Sequence, residues 1–498
     1  MSQAEDLIDA FADAHVPPGA PGFQVCVMQR GEIVLDQAFG LAQVELDVQL
    51  TADTRIPIGS VTKPMTALAA LRAEEMGLCC LDDPIRCWLP ELPELSGYPT
   101  LRQLLWHTGG YRDYLDCAFA DGFTLKPAGE VMAFHQRQTD VNFAPGTAQL
   151  YSNSGYYLVS LALEAATGTS FAELLNTHIF QPAGMPSSEL EANDWPVLSN
   201  LASGYIPVEG GWRPGVNVGQ DRKGDGGVIG TASDLCRFLW HLRDHPASLR
   251  TMLDGPNLPG SAYGLGLQQF EDGAAYGHGG NVMGASSFAV AARDTALDVA
   301  VIANNAALPV AQLGRDLLTA LGGPDLPSPK IVNPSATQCF VSPEHGGWLE
   351  VGDGAASLYG GPFVNLDEDT LRAPTTLARI LPDGEPVWET AGLRFALEPT
   401  QAKEWPLDDL VGLRFRSDPA DTDLSILPDG NGFRLDSRGG WSRNRFAVRG
   451  VARDVMIARH GEMPFTFVLH LRRDDQGVPV GLDYASPRTW RLPFERVA

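Results

Sequence analysis

The spacing of apolar residues changes once along this chain, at the segment Gly322-Gly-Pro-Asp-Leu-Pro-Ser-Pro-Lys330. Before this segment, stretches with apolar residues at helical spacing alternate with short extended runs. After it, short alternating runs are separated by Asp-Gly, Asn-Gly and Gly-Gly turns, which are typical of antiparallel sheet. Because 498 residues exceed what one hydrophobic core usually serves, we expect an α+β domain over residues 1–330 followed by all-β structure.

The internal organisation of both parts can be predicted from local patterns. In the first part, an antiparallel sheet with helices packed on it is expected, with a strand hairpin near residues 23–40. The second part has a seam at Trp405-Pro-Leu-Asp-Asp409, which predicts two small antiparallel β-barrel domains over residues 331–405 and 406–498. Further expected elements are helices at 4–14, 158–166, 234–244 and 310–321, and strands at 286–292 and 298–304.

One predicted helix begins with Ser60-Val-Thr-Lys63 and runs as a buried element to Gly77. Residues three apart lie on the same helix face, so the Lys63 amine can reach the Ser60 hydroxyl, and the first N–H groups favour negative charge there. The chain has five lysines, and only Lys63 follows a serine by three residues. Burial readily lowers the pKa of lysine, so Lys63 can serve as a base. A serine cap followed by a surface lysine is the ordinary alternative, and this stretch alone leaves both interpretations open.

Two further stretches carry candidate polar groups. Tyr151 and Asn153 are two residues apart, so in an extended or turn segment a phenol and an amide can face one cleft. Asp225 lies between glycines that let the backbone pack closely, and its carboxylate could face a cavity. The alternatives are a core tyrosine with a solvated hydroxyl and a turn aspartate that bonds its own backbone, and both stay open.

Histidines occur in two stretches of interest. His278, in His278-Gly-Gly-Asn281, is a candidate site residue because its glycines allow a substrate backbone to approach. The repeated tripeptide His345-Gly-Gly347 shows that the pattern alone carries little information. His107 is interpreted as a hydrogen-bonded loop residue and is left out of the site.

Charge and cysteine content limit the partners. The formal net charge of -25 and the lack of a basic run argue against nucleic acid or anionic membrane as partners. Residues 1–15 have no signal-peptide features, and no apolar run reaches transmembrane length. The seven scattered cysteines fit reduced thiols better than a disulfide framework. We therefore expect a cytoplasmic protein.

The ordered set Ser60-x-x-Lys63, Tyr151-x-Asn153 and His278-x-Gly280 resembles the three motifs of the penicillin-recognising serine hydrolases, which include class C β-lactamases, DD-carboxypeptidases, esterases and D-aminopeptidases. Segments such as Phe143-Ala-Pro-Gly146 and Tyr263-Gly-Leu-Gly266 are also similar. The resemblance covers residues 1 to about 325. A catalytic domain followed by two β-barrels is similar to the layout of the D-stereospecific aminopeptidases.

The resemblance implies a role for each matching residue. Ser60 would be the nucleophile that forms an acyl-enzyme, and Lys63 and Tyr151 would share its proton, with the identity of the base left open. Backbone N–H groups of Ser60 and Asn281 would form the oxyanion hole, and Asn153 would hold the scissile amide. Gly280 would let the substrate approach. No metal or other cofactor is implied.

The third motif departs from that of the β-lactamases. His278 replaces a lysine that helps to hold a substrate carboxylate, so recognition of penicillins should be weaker. An aminopeptidase instead needs an acidic group for the substrate ammonium, and Asp225 is the candidate. We therefore expect hydrolysis of small peptides or amides with release of N-terminal D-amino acids.

Other activities stay open at this stage. The resemblance also implies a loop of the last barrel that reaches into the cleft, and here residues 458–464 look short, which suggests a more open cleft. Esterase, DD-carboxypeptidase or weak β-lactamase activity are therefore alternatives. A non-catalytic penicillin-binding-like sensor is the alternative of another class. A homodimer is possible.

Overall fold

All α-helices among the described residues lie before residue 321 in the computed structural model. The structure describes residues 2–95, 97–120, 127–193, 196–215, 221–326, 338–342, 344–352, 355–358, 361–362, 364–367, 370–372, 379–380, 387–400, 404–440, 442–461 and 466–497. The helices are α1 (Ser2–His15), α2 (Thr62–Glu75), α3 (Leu101–Leu105), α4 (Tyr114–Ala120), α5 (Glu130–Arg137), α6 (Asn153–Thr167), α7 (Phe171–Leu175), α8 (Gln181–Ala183), α9 (Ala232–Asp244), α10 (Pro246–Leu253) and α11 (Val310–Ala320).

The strands of the same region form one large sheet and several small ones. They are β1 (Phe23–Gln29), β2 (Glu32–Phe39), β3 (Leu41–Gln43), β4 (Val48–Gln49), β5 (Ile56–Pro57), β6 (Glu189–Leu190), β7 (Tyr205–Val208), β8 (Gly211–Pro214), β9 (Val228–Gly230), β10 (Gln268–Phe270), β11 (Ala275–Val282), β12 (Ala285–Ala292) and β13 (Leu297–Ala303). The large sheet is antiparallel, in the order β10-β11-β12-β13-β1-β2.

Helices cover both faces of the large sheet. Successive side chains of a strand point to opposite faces, so Val25 and Val27 of β1 pack in one hydrophobic core with α1 and α11. Cys26 and Met28, between and after them, pack in a second core with α2 and α9. Strands β12 and β13 are buried along their whole lengths. The sheet is therefore apolar on both faces, which explains why these strands read as continuous apolar runs.

The predicted elements of this region are confirmed, with differences in the bounds of two helices. The helix predicted to run from Ser60 to Gly77 is α2 (Thr62–Glu75), and Ser60 lies in the 3-10 turn that precedes it. The hairpin pairs β1 with β2, and α1, α9 and α11 lie where their patterns predict them. Helix α6 begins at Asn153, five residues before the predicted start. The Asp113 carboxylate accepts the Asn153 backbone N–H at 2.6 Å, which satisfies a helix N-terminus whose partner is distant in sequence.

The C-terminal region contains a closed antiparallel barrel. Its strands are β24 (Arg414–Ser417), β25 (Thr422–Asp429), β26 (Gly432–Gly439), β27 (Arg443–Ala452), β28 (Val455–His460), β29 (Thr466–Arg473), β30 (Pro479–Ser486) and β31 (Thr489–Val497). Further strands lie between β13 and β24 in the chain. Pairing of β24 with β31 closes the ring. Along β25 the buried residues Leu424 and Ile426 alternate with more exposed neighbours, as expected for strands with one face inside.

Between the linker and this barrel lies further antiparallel sheet. Its strands are β14 (Gln338–Val341), β15 (Trp348–Gly352), β16 (Ala355–Leu358), β17 (Gly361–Pro362), β18 (Val364–Asp367), β19 (Thr370–Arg372), β20 (Arg379–Ile380), β21 (Val387–Thr390), β22 (Leu393–Ala396) and β23 (Glu398–Thr400). Five of them form one sheet in the order β17-β16-β15-β14-β23. Much of the predicted barrel at 331–405, including the boundary at residue 330, lies outside the described residues, so the three domain limits stay predictions.

The β region packs on the α+β region through shared hydrophobic cores. Phe143 and Leu150 of the first region are buried in one core with Trp348 of β15 and Trp490 of β31. A second core joins α4 and α5 to the interior of the closed barrel. Of the helices described, none is by itself long and apolar enough to cross a membrane, although the bent pair Asn153–Thr167 and Phe171–Ala183 passes that test when taken together.

Candidate active site

Ser60 lies in a single 3-10 turn, Gly59–Val61, between β5 and α2. Helix α2 is buried from Thr62 to Leu71, so the turn is anchored in the protein core, while Ser60 itself is partly exposed. Gly59 has a φ of +52°, and an added Cβ there would lie 3.0 Å from the backbone nitrogen of Asn281. Glycine therefore allows the turn to lie directly against β11.

Lys63 is completely buried beside Ser60. Its Nζ lies 3.1 Å from Ser60 Oγ, 2.8 Å from Asn153 Oδ1 and 2.6 Å from the backbone oxygen of Asp225. The amide and backbone oxygens can only accept hydrogen bonds, so they take two N–H groups of Lys63. In a neutral amine the third position is a lone pair directed to Ser60. The arrangement thus allows the Ser60 O–H to donate to Lys63, as a general base requires.

The surroundings of Lys63 favour its neutral form. Burial lowers the Lys63 pKa to about 7, partly opposed by the negative charges of Asp225 and Asp113, while the Arg488 guanidinium lowers it further. Burial disfavours a charged amine because the protein interior solvates it less well than water does. Near neutral pH a substantial fraction of Lys63 is therefore able to accept a proton.

The pKa of Lys63 gives a pH prediction with a definite sign. We expect kcat/KM for an amide substrate to rise with pH through an apparent value near 7, because the neutral amine exists above the lowered pKa. One unit below it the rate should be about tenfold under the plateau. Initial rates from about pH 5 to about pH 10 at constant ionic strength measure this limb, which belongs to the coupled Lys63–Tyr151 pair. A limb near the ordinary carboxyl pKa would contradict the assignment.

Tyr151 and Asn153 approach the same serine and lysine from the segment before α6. Burial raises the pKa of the Tyr151 phenol, and an interaction with the Ser60 side chain partly opposes that rise. Lys63 Nζ lies 4.8 Å from the centre of the Tyr151 ring. Ser152 is extended and Asn153 is the first residue of α6. The side chains of Tyr151 and Asn153 therefore both lie next to Lys63, as their spacing predicts. The Ser60 hydroxyl and the Lys63 amine are thus at hydrogen-bonding distance, with the Tyr151 ring beside the amine.

Strand β11 brings the third motif to the opposite side of Ser60. Asn281 is exposed and its backbone lies against Gly59, next to the expected oxyanion position. Gly280 is buried, and an added Cβ would lie 2.0 Å from the backbone oxygen of Ile58. The structure therefore shows a packing reason for Gly280, which lets β11 approach the serine turn. Its role in substrate approach and the oxyanion role of Asn281 stay predictions.

His278 is buried on β11 with both ring nitrogens engaged. Nε2 lies 2.9 Å from the Tyr263 hydroxyl, and Nδ1 lies 2.5 Å from the backbone oxygen of Gly279. Nδ1–H donates to that oxygen, so Nε2 is left to accept the Tyr263 O–H. Burial and the nearby Lys63 charge lower the His278 pKa to about 3. The ring is neutral at pH 7 and supplies no positive charge for a substrate carboxylate.

Asp225 is buried beside Lys63. Its Oδ2 accepts the Tyr114 hydroxyl at 2.7 Å, and its backbone oxygen accepts Lys63. Burial raises the carboxyl pKa, while the Lys63 charge and the Tyr114 hydrogen bond lower it. Added Cβ atoms at Gly224 would meet the Thr66 and Ser160 hydroxyls, so the glycine is needed for close packing on α2 and α6.

The interpretation of His107 as a hydrogen-bonded loop residue is confirmed. Its Nδ1 accepts the Ser152 backbone N–H at 3.0 Å, and its buried ring packs against Tyr151, with ring centres 4.3 Å apart. Burial strongly lowers the His107 pKa, with a further contribution from the Lys63 charge. His107 therefore packs as a neutral ring against Tyr151 and accepts a hydrogen bond from the next residue, Ser152.

Sequence reasoning missed four polar residues around the site, which are Asp113, Tyr114, Tyr263 and Arg488. They contact Asn153, Asp225 and His278 or pair with one another. Tyr114 and Asp225 are 111 residues apart in sequence. No local spacing rule indicates such pairs, because their members come from different elements that meet only in the folded chain.

Comparisons with known proteins agree with this geometry. A family model described as Beta-lactamase matches residues 5–322. A D-aminopeptidase of Brucella anthropi is 28% identical over an alignment of 529 positions, which spans 98% of this chain and 98% of the relative. A D-aminopeptidase of Brucella melitensis biotype 2 is 27% identical, with 99% of this chain and 94% of the relative covered.

Two solved structures share the fold. The octameric penicillin-binding protein homologue from Pyrococcus abyssi has a TM-score of 0.58 at 19% identity, over 99% of both chains. The D-amino acid amidase from Ochrobactrum anthropi SV3, solved with D-phenylalanine, has a TM-score of 0.55 at 23% identity, over 64% of this chain and 98% of the amidase. The predicted α+β fold with a C-terminal barrel is confirmed. With the family model matching more than half of its length, the chain belongs to the Beta-lactamase family.

Proposed function

We propose that this protein is a serine hydrolase that forms an acyl-enzyme on Ser60 and releases N-terminal D-amino acids from small peptides or amides. The observation that carries the proposal is the 3.1 Å contact between the Ser60 hydroxyl and the buried Lys63 amine, with the Tyr151 ring beside that amine. The similarity to D-aminopeptidases over nearly the whole chain supports the substrate class, because it includes the β region as well as the catalytic domain.

The reaction follows from the positions of these groups. Ser60 Oγ attacks the scissile carbonyl carbon, and its proton passes to the Lys63–Tyr151 pair. The negative charge that develops on the carbonyl oxygen is stabilised by backbone N–H groups of Ser60 and Asn281. The pair then delivers the proton to the leaving amine as the C–N bond breaks. Water repeats the sequence on the ester, which frees the amino acid and restores Ser60.

Specificity for the free amino end rests on the charges around the site. His278 is neutral, so it offers no charge attraction to a penicillin or to a C-terminal carboxylate. Asp225 is the proposed partner of the substrate ammonium. Its carboxylate is held by Tyr114, so it is oriented before the substrate arrives.

Replacing Asp225 with asparagine should therefore affect substrates according to their charge. We expect KM for D-alanine p-nitroanilide to rise about tenfold to a hundredfold, because one hydrogen bond between charged groups is lost. The asparagine side-chain oxygen can still accept the Tyr114 hydroxyl, so the fold should be kept. Steady-state kinetics on p-nitrophenyl acetate, which has no ammonium, serve as the control and should change little. Equal changes for both substrates would remove Asp225 from the binding site.

The proposed activity is tested with matched substrates. Turnover of D- and L-alanine p-nitroanilide and of a chromogenic cephalosporin is compared, and intact mass records any covalent adduct on Ser60. We expect hydrolysis of the D-anilide to exceed that of the L-anilide. Turnover of the cephalosporin alone would identify a β-lactamase, and turnover of simple esters alone an esterase. An unlabelled Ser60 would favour the sensor alternative.

The remaining expectations about partners and location belong to the same proposal. A small amide, peptide or ester is the proposed partner, without nucleic acid or membrane, and a cytoplasmic location is proposed from the cysteine pattern. The octameric state is a property of the Pyrococcus abyssi homologue. For this chain a homodimer stays a prediction. Light scattering of the purified protein measures the molar mass and so tests it.

A further inference from the structure

The turn between β30 and β31 of the closed barrel docks on the α+β region at the first turn of α4. Asp116 receives most of this contact. Its Oδ2 accepts the Ser486 hydroxyl at 2.7 Å and the Arg488 backbone N–H at 2.8 Å, and its backbone oxygen accepts the Tyr484 hydroxyl at 2.5 Å. The barrel is therefore fixed to this segment by direct hydrogen bonds in addition to the shared apolar core.

The Arg488 side chain extends from this turn towards two carboxylates. Its Nε donates to Asp116 Oδ1 at 2.8 Å, and Nη2 also bonds that oxygen. Nη2 lies 3.6 Å from Asp113 Oδ1. Both aspartates are buried, with side chains no more than 1% exposed, and the Arg488 side chain is 13% exposed. Buried carboxylates need such a partner, because an unpaired charge in the interior is strongly destabilising.

Asp113 connects this ion pair to the candidate active site. Its Oδ2 accepts the Asn153 backbone N–H at 2.6 Å, and its Oδ1 accepts the Leu115 and Asp116 backbone N–H groups at 3.0 and 3.1 Å. The Asn153 side chain in turn accepts Lys63 Nζ. A continuous series of polar contacts therefore runs from the barrel to the amine beside Ser60.

The charges in this series act on Lys63 with opposite signs. The Arg488 guanidinium lowers the pKa values of Lys63 and Tyr151, and the Asp113 carboxylate raises both. Other groups face Lys63 from the surrounding elements. They are the Asp225 carboxylate, the neutral His107 and His278 rings, and the Tyr151 and Tyr156 phenols.

We propose that Arg488 of the C-terminal barrel is a positioning residue of the Ser60 site. Arg488 holds Asp113 at the start of α6, orients Lys63 through Asn153 and places a positive charge near the Lys63 amine. This inference rests on the proposed reactivity of Ser60 but not on any particular substrate. It assigns the barrel a part in the chemistry, because the guanidinium of Arg488 belongs to the barrel.

The inference is tested by the rate at which a serine-directed fluorophosphonate labels Ser60, measured by intact mass on the full chain as a function of pH. The acidic limb of this rate profile is compared between variants. In Arg488→Met the guanidinium that lowers the Lys63 pKa is lost, so the acidic limb should move up by on the order of one pH unit. In Asp113→Asn a negative charge is lost, so the limb should move down. Arg488→Lys restores the charge and should return the limb towards its native position.

Arg112→Met is the matched control. Arg112 is also buried at this interface, where it donates to the backbone oxygens of Trp490 and Arg491 at 3.2 and 3.3 Å and pairs with Asp140. It binds the start of β31, next to that turn, but does not pair with Asp113 in the contacts described above. We expect Arg112→Met to lower the melting temperature and to leave the acidic limb in place.

Each outcome either supports or overturns the inference. If Arg488→Met folds and keeps the native limb, Arg488 is structural only and the inference is wrong. If Arg488→Met does not fold, Asp113→Asn and Arg488→Lys decide, and an unmoved limb in Asp113→Asn overturns it. A native chain that is labelled on Ser60 while the variants show no shift overturns this inference alone. A native chain without a label overturns the proposed function, and this inference with it.

Discussion

Ser60→Ala is expected to reduce kcat/KM for D-alanine p-nitroanilide by at least about 10⁴-fold, because no acyl-enzyme can form without the hydroxyl. The fold should survive, since Ser60 is partly exposed and its side chain contributes one hydrogen bond to Lys63. Steady-state kinetics measure the loss, and intact mass after reaction with the fluorophosphonate should show no adduct. Circular dichroism and thermal melting should match those of the native chain.

Ser152→Ala provides the control for this prediction. Ser152 is next to Tyr151, and its hydroxyl has no hydrogen-bond partner among the described residues, while its backbone N–H donates to His107. Removing that hydroxyl should leave kcat/KM within about twofold. A Ser60→Ala enzyme with native activity, or a label that persists in it, would show that another nucleophile carries the reaction.

Lys63→Met is the second change with a large expected effect. The substitution removes the amine but keeps an unbranched side chain in the buried position. We expect kcat to fall by about 10³-fold to 10⁴-fold, with a smaller change in KM, because the lost group acts on the proton of Ser60 and not on the bound substrate. Rates are measured across the full pH range, and the acidic limb near 7 should disappear.

Two controls separate chemistry from stability in the Lys63→Met enzyme. The substitution leaves Asn153 Oδ1 and the Asp225 backbone oxygen without their lysine donor, so a lower melting temperature is expected as well. Lys223→Met removes an amine that pairs with Glu164 and Asp221 and lies two residues before Asp225 in the chain. It should lower stability with little effect on kcat. If the two variants lost the same activity, Lys63 would have no special chemical role.

Much of the fold could be predicted because its signals are local. The apolar runs at β12 and β13, the hairpin of β1 with β2, and the change to short alternating strands after residue 330 all follow from the side-chain periodicity of strands and helices. The early start of α6 at Asn153 could not be predicted. Its cap is the carboxylate of Asp113, 40 residues earlier, and no sequence pattern joins the two.

The candidate site divides in the same way. Ser60 and Lys63 are brought together by one helical turn, so their contact could be predicted from spacing. Tyr151 and His278 could be placed only by resemblance, because their positions depend on how α6 and β11 pack around α2. The role of Gly280 in admitting substrate stays a prediction, and the structure adds that Gly280 packs against the Ile58 backbone. That packing depends on a distance between two backbones and leaves no local pattern.

The amino-acid sequence by itself determined which elements form and which residue pair has the chemistry of an activated serine, because periodicity and side-chain type act over a few residues. Only the tertiary structure decided that Lys63 is buried, that His278 is neutral and that the barrel's Arg488 lies behind the site. Arg488 bonds Asp116 across 372 residues. The protonation states of the site depend on burial and on charges assembled from distant segments, and both arise when the domains pack together.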